Sequence, residues 1–181
     1  MRKKILIVLG VLAALVVVFA GVVAMQPSEF RVERTAAIAA PPADVFAQVN
    51  DFHHWEAWSP WLNLDPAAKT SYEGPTAGKG AIFKWSGNND VGEGSMTLTE
   101  SRPHEWLKIR LDFVRPFEDT SDVEFTFKPE GSQTVVTWSM YGRSNFLGKA
   151  ICLFMSMDKM IGDKYEEGLA NLKTVVETAK K

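Results

Sequence analysis

The chain begins with an apolar run that no polar residue interrupts. Residues 5–24 read ILIVLGVLAALVVVFAGVVA and contain no charged side chain. Twenty residues in helical geometry cover about 30 Å, the thickness of the hydrocarbon core of a bilayer. The pattern predicts one transmembrane anchor over residues 1–24.

The charges on either side of this run predict its orientation. Residues 2–4 are all basic, whereas residues 29–34 carry both signs. By the positive-inside rule, the N-terminus stays in the cytoplasm and the domain lies on the extracytoplasmic, periplasmic side. A cleaved signal peptide is the alternative, because residues 22–24 suit a peptidase. The apolar region of a signal peptide is normally shorter, about 7 to 15 residues.

After a short polar linker, residues 25–29, the periodicity predicts one domain over residues 30–181. Alternation over residues 30–38 predicts a strand. Pro41 and Pro42 then suit the first turn of a helix, which the apolar positions up to Phe52 continue as a short amphipathic helix. The segment DFHHWEAWSPW, residues 51–61, follows as a second short helix or tight turn.

From about Lys69 onward, short alternating segments separated by turns predict antiparallel strands. Residues 80–85 and 94–100 flank a turn-rich SGNNDVG segment and predict a hairpin. Residues 122–128 and 134–141 predict a second hairpin across PEGSQ. Between the two hairpins, WLKIRLDF alternates as a further strand.

From Phe146 to about Ala179, apolar residues recur in steps of three and four and predict one long helix. The predicted class is therefore α+β: a curved antiparallel sheet of about six to seven strands wrapped around a long C-terminal helix. Two short helices follow strand 1, and one transmembrane helix precedes the domain. A single helix cannot fill a curved sheet, so we expect an interior hollow beside the short helices.

Composition and motifs narrow the function. After the anchor, 17 basic and 22 acidic residues give a formal charge of −5, which disfavours nucleic-acid binding. The single cysteine, Cys152, excludes an internal disulfide. The chain lacks the glycine-rich and Gly-x-Ser-x-Gly motifs of nucleotide-dependent and nucleophilic enzymes. Its three histidines do not form a metal-binding motif, so we predict no metal and no cofactor.

The tryptophan-rich segment offers the only candidate chemistry, and it has two interpretations. His54, Asp51 and Glu56 are weak candidates for proton transfer, because a titratable group in a dry pocket can act as acid or base. Asp51 is equally suited to capping a helix. Trp55, Trp58 and Trp61 recur every three residues, as a structural plug or as an aromatic wall for a ligand.

A hydrophobic ligand would be held by residues that face the expected hollow. The predicted lining comprises Trp58, Phe83, Trp85, Leu98, Ile109, Leu111, Phe125, Trp138, Met157, Ile161 and Tyr165.

The element order, the segment IAAPPADVFAQVNDFHHWEAWSPW and the late segment MDKMIGDKYEEGLANLK resemble the START-related helix-grip (SRPBCC) superfamily. Within it, the chain is similar to bacterial polyketide cyclase/dehydrase-type proteins over residues 30–178. The resemblance implies a cavity for hydrophobic small molecules or lipids, and it implies no shared catalytic residue set.

Three functions therefore stay open. The first is a membrane-anchored binding protein for a hydrophobic small molecule or lipid. The second is a polyketide cyclase/dehydrase-like enzyme of cyclase or lyase type. The third is a non-catalytic accessory protein at the membrane, whose protein partner the sequence does not identify.

Overall fold

A computed structural model describes residues 2–179. Its Cα positions form two compact units. The N-terminal unit comprises residues up to Phe30 together with Arg143–Ser156, and the sheet unit comprises Arg31–Gly142 together with residues from Met157 onward. In chain order the elements are α1 (Arg2–Met25), β1 (Glu29–Ile38), α2 (Pro42–Asn50), a 3₁₀ helix (Phe52–Ala57), β2 (Lys69–Glu73), β3 (Ile82–Ser86), β4 (Glu93–Arg102), β5 (Trp106–Arg115), β6 (Asp119–Glu130), β7 (Gln133–Arg143), α3 (Phe146–Cys152) and α4 (Met157–Thr178).

The seven strands form one curved antiparallel sheet in the order β1-β7-β6-β5-β4-β3-β2. The predicted hairpins are confirmed, because β3 pairs with β4 and β6 pairs with β7. Alternation along β6 buries Val123, Phe125 and Phe127 on the inward face of the sheet. The α+β helix-grip class is therefore confirmed.

Two glycines of α4 permit close approach to the sheet. A Cβ added at Gly168 would lie 2.8 Å from the Trp138 ring, so only glycine lets the helix pack directly on that indole. At Gly162 an added Cβ would collide with the guanidinium of Arg34, which reaches over from β1. Arg34 Nη1 donates to Asp158 at 2.9 Å, and its Nε donates to Glu166 at 2.7 Å.

The long C-terminal helix is shorter than its hydrophobic pattern predicted. The expected helix from Phe146 is divided into α3 and α4 by a turn over residues 153–156. Asn145 begins α3 by accepting a hydrogen bond from the Gly148 N–H at 2.8 Å. The Ile151 carbonyl then accepts from the N–H groups of both Phe154 and Met155 at 3.0 Å, as a turn that ends a helix does.

In the N-terminal unit, α1 has the length and composition to cross a membrane, and its apolar side chains are exposed. A helix of this kind near the N-terminus is a membrane anchor or a signal sequence. The short α3 contacts it.

Candidate binding site

The sheet unit contains a cavity of about 520 Å³ among the concave sheet, the tryptophan-rich segment and α4. Aromatic and aliphatic side chains predominate in its lining: Phe52, Trp55, Trp61, Leu62, Pro66, Ala68, Phe83, Trp85, Val91, Met96, Leu111, Phe113, Val123, Trp138, Met140, Ile161 and Tyr165. The polar members are Glu56, Ser59, Asn63, Asp65 and Thr70. This volume lies within the usual range of small-molecule sites, about 300 to 1,000 Å³.

Two tryptophans fix the 3₁₀ helix to the end of α2. The indole N–H of Trp55 donates to the Val49 carbonyl at 2.9 Å, and that of Trp58 donates to the Gln48 carbonyl at 3.2 Å. These carbonyls lie in the last turn of α2, where a helix leaves acceptors without a partner of its own. These hydrogen bonds explain the positions of Trp55 and Trp58 without reference to a ligand.

The three tryptophans of the segment do not share one environment. Trp58 is only 1% exposed and packs edge-to-face on Trp138 and Phe125, so it belongs to the filled core. Trp55 and Trp61 line the cavity instead. The segment therefore contributes both to the filled core and to the lining of the cavity.

The structure brings six of the predicted lining residues to the cavity: Phe83, Trp85, Leu111, Trp138, Ile161 and Tyr165. It buries four others in the core behind the lining, namely Trp58, Leu98, Ile109 and Phe125. Met157, at the start of α4, is not part of the lining. Alternation identifies which residues point inward, but it does not tell which inward positions a second layer covers.

Sequence reasoning missed the cavity wall formed by the loop between the 3₁₀ helix and β2. Asp65 stabilises this loop by accepting from the Ala67 N–H at 3.1 Å and, across the site, from the Asn88 N–H at 2.7 Å. The loop has no hydrophobic periodicity that would identify it as part of the wall. The one signal in its sequence is Asp65, an acidic residue between two turn segments.

Trp85 forms part of the wall because a glycine lies beneath it. Its indole N–H donates to the Val91 carbonyl at 2.9 Å. A Cβ added at Gly94 would lie 2.6 Å from the Trp85 ring and 2.5 Å from the Asp112 carbonyl oxygen. The glycine therefore lets the indole lie close against the neighbouring strand.

Trp138 and Tyr165 lie side by side in the aromatic part of the lining. Their rings stack with centroids 3.8 Å apart and an angle of 14° between planes. Burial raises the pKa of the Tyr165 hydroxyl far above its usual value, and the nearby indole N–H of Trp138 opposes this effect without cancelling it. The hydroxyl therefore stays protonated and is a hydrogen-bond donor, not a base.

The indole N–H of Trp138 has no hydrogen-bond partner, the one such buried side-chain nitrogen or oxygen within residues 2–179. This contrasts with the satisfied N–H groups of Trp55, Trp58 and Trp85. An unpaired buried donor costs about 1 to 3 kcal/mol.

The candidate proton-transfer residues do not converge on the cavity. Asp51 caps the 3₁₀ helix, accepting from the His53 N–H at 2.9 Å and contacting His53 Nδ1 at 2.7 Å. His54 is exposed, and its Nδ1 lies 3.1 Å from the Ala47 carbonyl oxygen. Only Glu56 borders the cavity. Across the described residues, 2–179, no three histidine, cysteine or acidic side chains cluster as metal ligands.

Solved structures share this fold at low sequence identity. A Thermobifida fusca protein aligns with a TM-score of 0.62 and 20% identity, covering 81% of this chain and 92% of its own. Protein CV1439 from Chromobacterium violaceum aligns with a TM-score of 0.58 and 15% identity, covering 84% and 99%. The Aha1 dimer from Colwellia psychrerythraea aligns with a TM-score of 0.57 and 16% identity, covering 84% and 99%. These likenesses show that the chain has the helix-grip fold.

A family model described as "Polyketide cyclase / dehydrase and lipid transport" matches residues 29–177. The chain belongs to this family, as the resemblance in its sequence predicted. The family is associated with the binding of hydrophobic ligands. No curated protein matches the chain.

Proposed function

We propose that this protein is a membrane-anchored binding protein that holds one hydrophobic small molecule or lipid in the cavity of its sheet unit. The observation that carries the proposal is the cavity of about 520 Å³ itself, with its aromatic and aliphatic lining. The anchor is α1, and the basic residues before it favour a cytoplasmic N-terminus with the domain on the periplasmic side.

Binding would be driven by removal of apolar ligand surface from water. Each CH₂ group that enters the cavity contributes about 0.8 kcal/mol before the entropic cost of association. A ligand of about 20 non-hydrogen atoms, at about −0.3 kcal/mol per atom, would bind with about −6 kcal/mol, a Kd of tens of micromolar. Such affinity suits a site that loads from a membrane, where lipophilic molecules are concentrated.

The hydroxyl of Tyr165 suggests which polar group the ligand carries. The protonated hydroxyl of Tyr165, which lines the cavity, is a donor. We therefore expect a mostly apolar molecule with a carbonyl, ether or hydroxyl oxygen as an acceptor. Glu56 and Asp65, on the same lining, disfavour an anionic ligand.

A matched ligand pair tests this proposal. The full chain in lipid nanodiscs would be titrated with a long-chain methyl ketone and with the alkene in which a methylene replaces the carbonyl oxygen, following tryptophan fluorescence. We expect the ketone to bind about 5- to 30-fold more tightly, a difference of about 1 to 2 kcal/mol. Tyr165→Phe removes the hydroxyl and should abolish this preference.

Tyr141→Phe is the control, because Tyr141 lies on β7 outside the cavity lining. The control should retain the preference for the ketone. Failure of the wild-type protein to bind either compound would argue against the binding function. Equal affinity for both would leave the cavity in place and contradict the role of Tyr165.

The enzyme alternative has less support from the geometry. It needs a base that faces the ligand, and of the three predicted candidates only Glu56 borders the cavity. Tyr165 cannot act as that base, because burial raises its pKa.

A further inference from the structure

The segment after β7 exposes large apolar side chains on the N-terminal unit. Phe154 is 79% exposed and Phe146 is 55% exposed, and Leu147, Ile151 and Met155 are also exposed. Isolated surface residues of this kind need no explanation, but a contiguous apolar stretch marks an interaction surface.

This segment lies beside α1 and not at a random position on the surface. The rings of Phe154 and Phe19 are stacked, with centroids 6.3 Å apart. The Ser144 N–H donates to the Ser28 carbonyl at 2.7 Å and joins the start of the segment to the chain that leaves α1. Whatever surrounds the C-terminal end of α1 therefore also surrounds this segment.

The position of Phe19 in α1 shows how far the contact with Phe154 lies from the C-terminal end of that helix. Phe19 precedes Met25, the last residue of α1, by six residues. At a rise of about 1.5 Å per residue, Phe154 meets α1 about 9 Å below its end. Amphipathic segments that lie in a membrane interface bury their apolar face by a similar depth, about 5 to 10 Å.

The charge of the segment fits a lipid environment. Residues 146–157 contain no acidic residue and one basic residue, Lys149. A lysine can extend its aliphatic stem along apolar surface and keep its ammonium group at the level of the lipid head groups. Acidic residues, which anionic lipid would repel, are numerous elsewhere in the chain but absent here.

We infer that residues 146–155 form a second membrane contact, in which α3 and the following turn insert among the lipid acyl chains beside α1. This inference rests on the proposed anchoring of α1. The unit would then hold to the bilayer by two elements, and the apolar side chains of the segment would be covered by lipid, not by a protein partner.

The single cysteine of the chain reports on this contact directly. Cys152 is in α3 and is exposed in the structure, so the protein itself does not shield it. A membrane-impermeant maleimide should therefore label Cys152 at least tenfold more slowly in nanodiscs of purified phospholipid than it labels a cysteine in water. The comparison site is Lys128→Cys in a Cys152→Ser chain, because Lys128 is an exposed residue of the sheet unit.

A charged variant provides the second arm. Phe146→Asp with Phe154→Asp should expel the segment from lipid and raise the labelling rate of Cys152 towards that of Lys128→Cys. Phe117→Asp, at an equally exposed phenylalanine of the sheet unit, should leave the rate unchanged. All three phenylalanines are exposed, so the variants should fold as the wild-type chain does.

Carbonate extraction of native membranes separates this inference from the anchor. Extraction of the protein into the soluble fraction would overturn the anchor. A protein that resists extraction but whose Cys152 labels as fast as Lys128→Cys in nanodiscs would overturn the lipid contact and leave the anchor intact. Protection in native membranes but not in nanodiscs would overturn it in favour of a protein partner.

Discussion

Replacement of Val123 by phenylalanine distinguishes a real hollow from a filled core. Val123 is a buried, inward residue of β6 that lines the cavity. Its added ring atoms would enter the hollow, and filling a cavity commonly stabilises a protein by about 0.5 to 2 kcal/mol. The same ring should reduce the room for a ligand and weaken its binding.

Val136→Phe is the matched control, on the neighbouring strand β7. Val136 is also buried and inward, but it does not line the cavity. Overpacking a filled site costs about 1 to 3 kcal/mol. Because 1 kcal/mol shifts the Tm of a domain of this size by about 2 to 4 °C, Val136→Phe should lower the Tm by roughly 2 to 12 °C.

The assay is thermal unfolding of the full chain in nanodiscs, without added ligand. Unfolding is followed by the near-ultraviolet circular dichroism of the tryptophans. Val123→Phe should keep or raise the Tm, whereas Val136→Phe should lower it. If both variants lower the Tm by the same amount, the interior at Val123 is packed and the reasoning from the cavity is refuted.

Two further predictions concern the ion pair between Arg34 and Asp158 and the packing of Trp85 against Gly94. The hydrogen bond from Arg34 lowers the pKa of Asp158 below its usual 3.8, so this pair stabilises the fold above that pH and the contribution is lost as pH falls through the lowered value. Denaturation at several pH values should show the difference between wild type and Arg34→Met shrinking below about pH 4, and a constant difference would contradict the pairing. Gly94→Ala should destabilise by about 1 to 3 kcal/mol and shift the near-ultraviolet signal, because its Cβ would displace Trp85; an unchanged spectrum and Tm would contradict this packing.

Hydrophobic periodicity predicted the elements of this fold well, because strand alternation and helix repeats follow directly from which face is buried. It failed at the break between α3 and α4. The residues of α3 repeat at helical spacing as those of α4 do, but their apolar face is exposed. Periodicity reports an apolar face and does not report what covers it.

The same limit applies to the cavity. Phe83 and Leu98 are both inward residues of neighbouring strands, yet only Phe83 reaches the hollow. The difference depends on where α4 and the tryptophan-rich segment lie over the curved sheet. Those positions are set by single features, such as Gly168 beneath the Trp138 ring, which no pattern of hydrophobic and polar residues reveals.

Native mass spectrometry of the full chain released from nanodiscs tests directly whether the cavity of the sheet unit holds one ligand. After incubation with a panel of lipophilic molecules that carry an acceptor oxygen, we expect complexes of one ligand per chain for wild type and Val136→Phe, and a smaller fraction of such complexes for Val123→Phe. A wild-type protein that shows only its unliganded mass across the whole panel would contradict the proposed binding function.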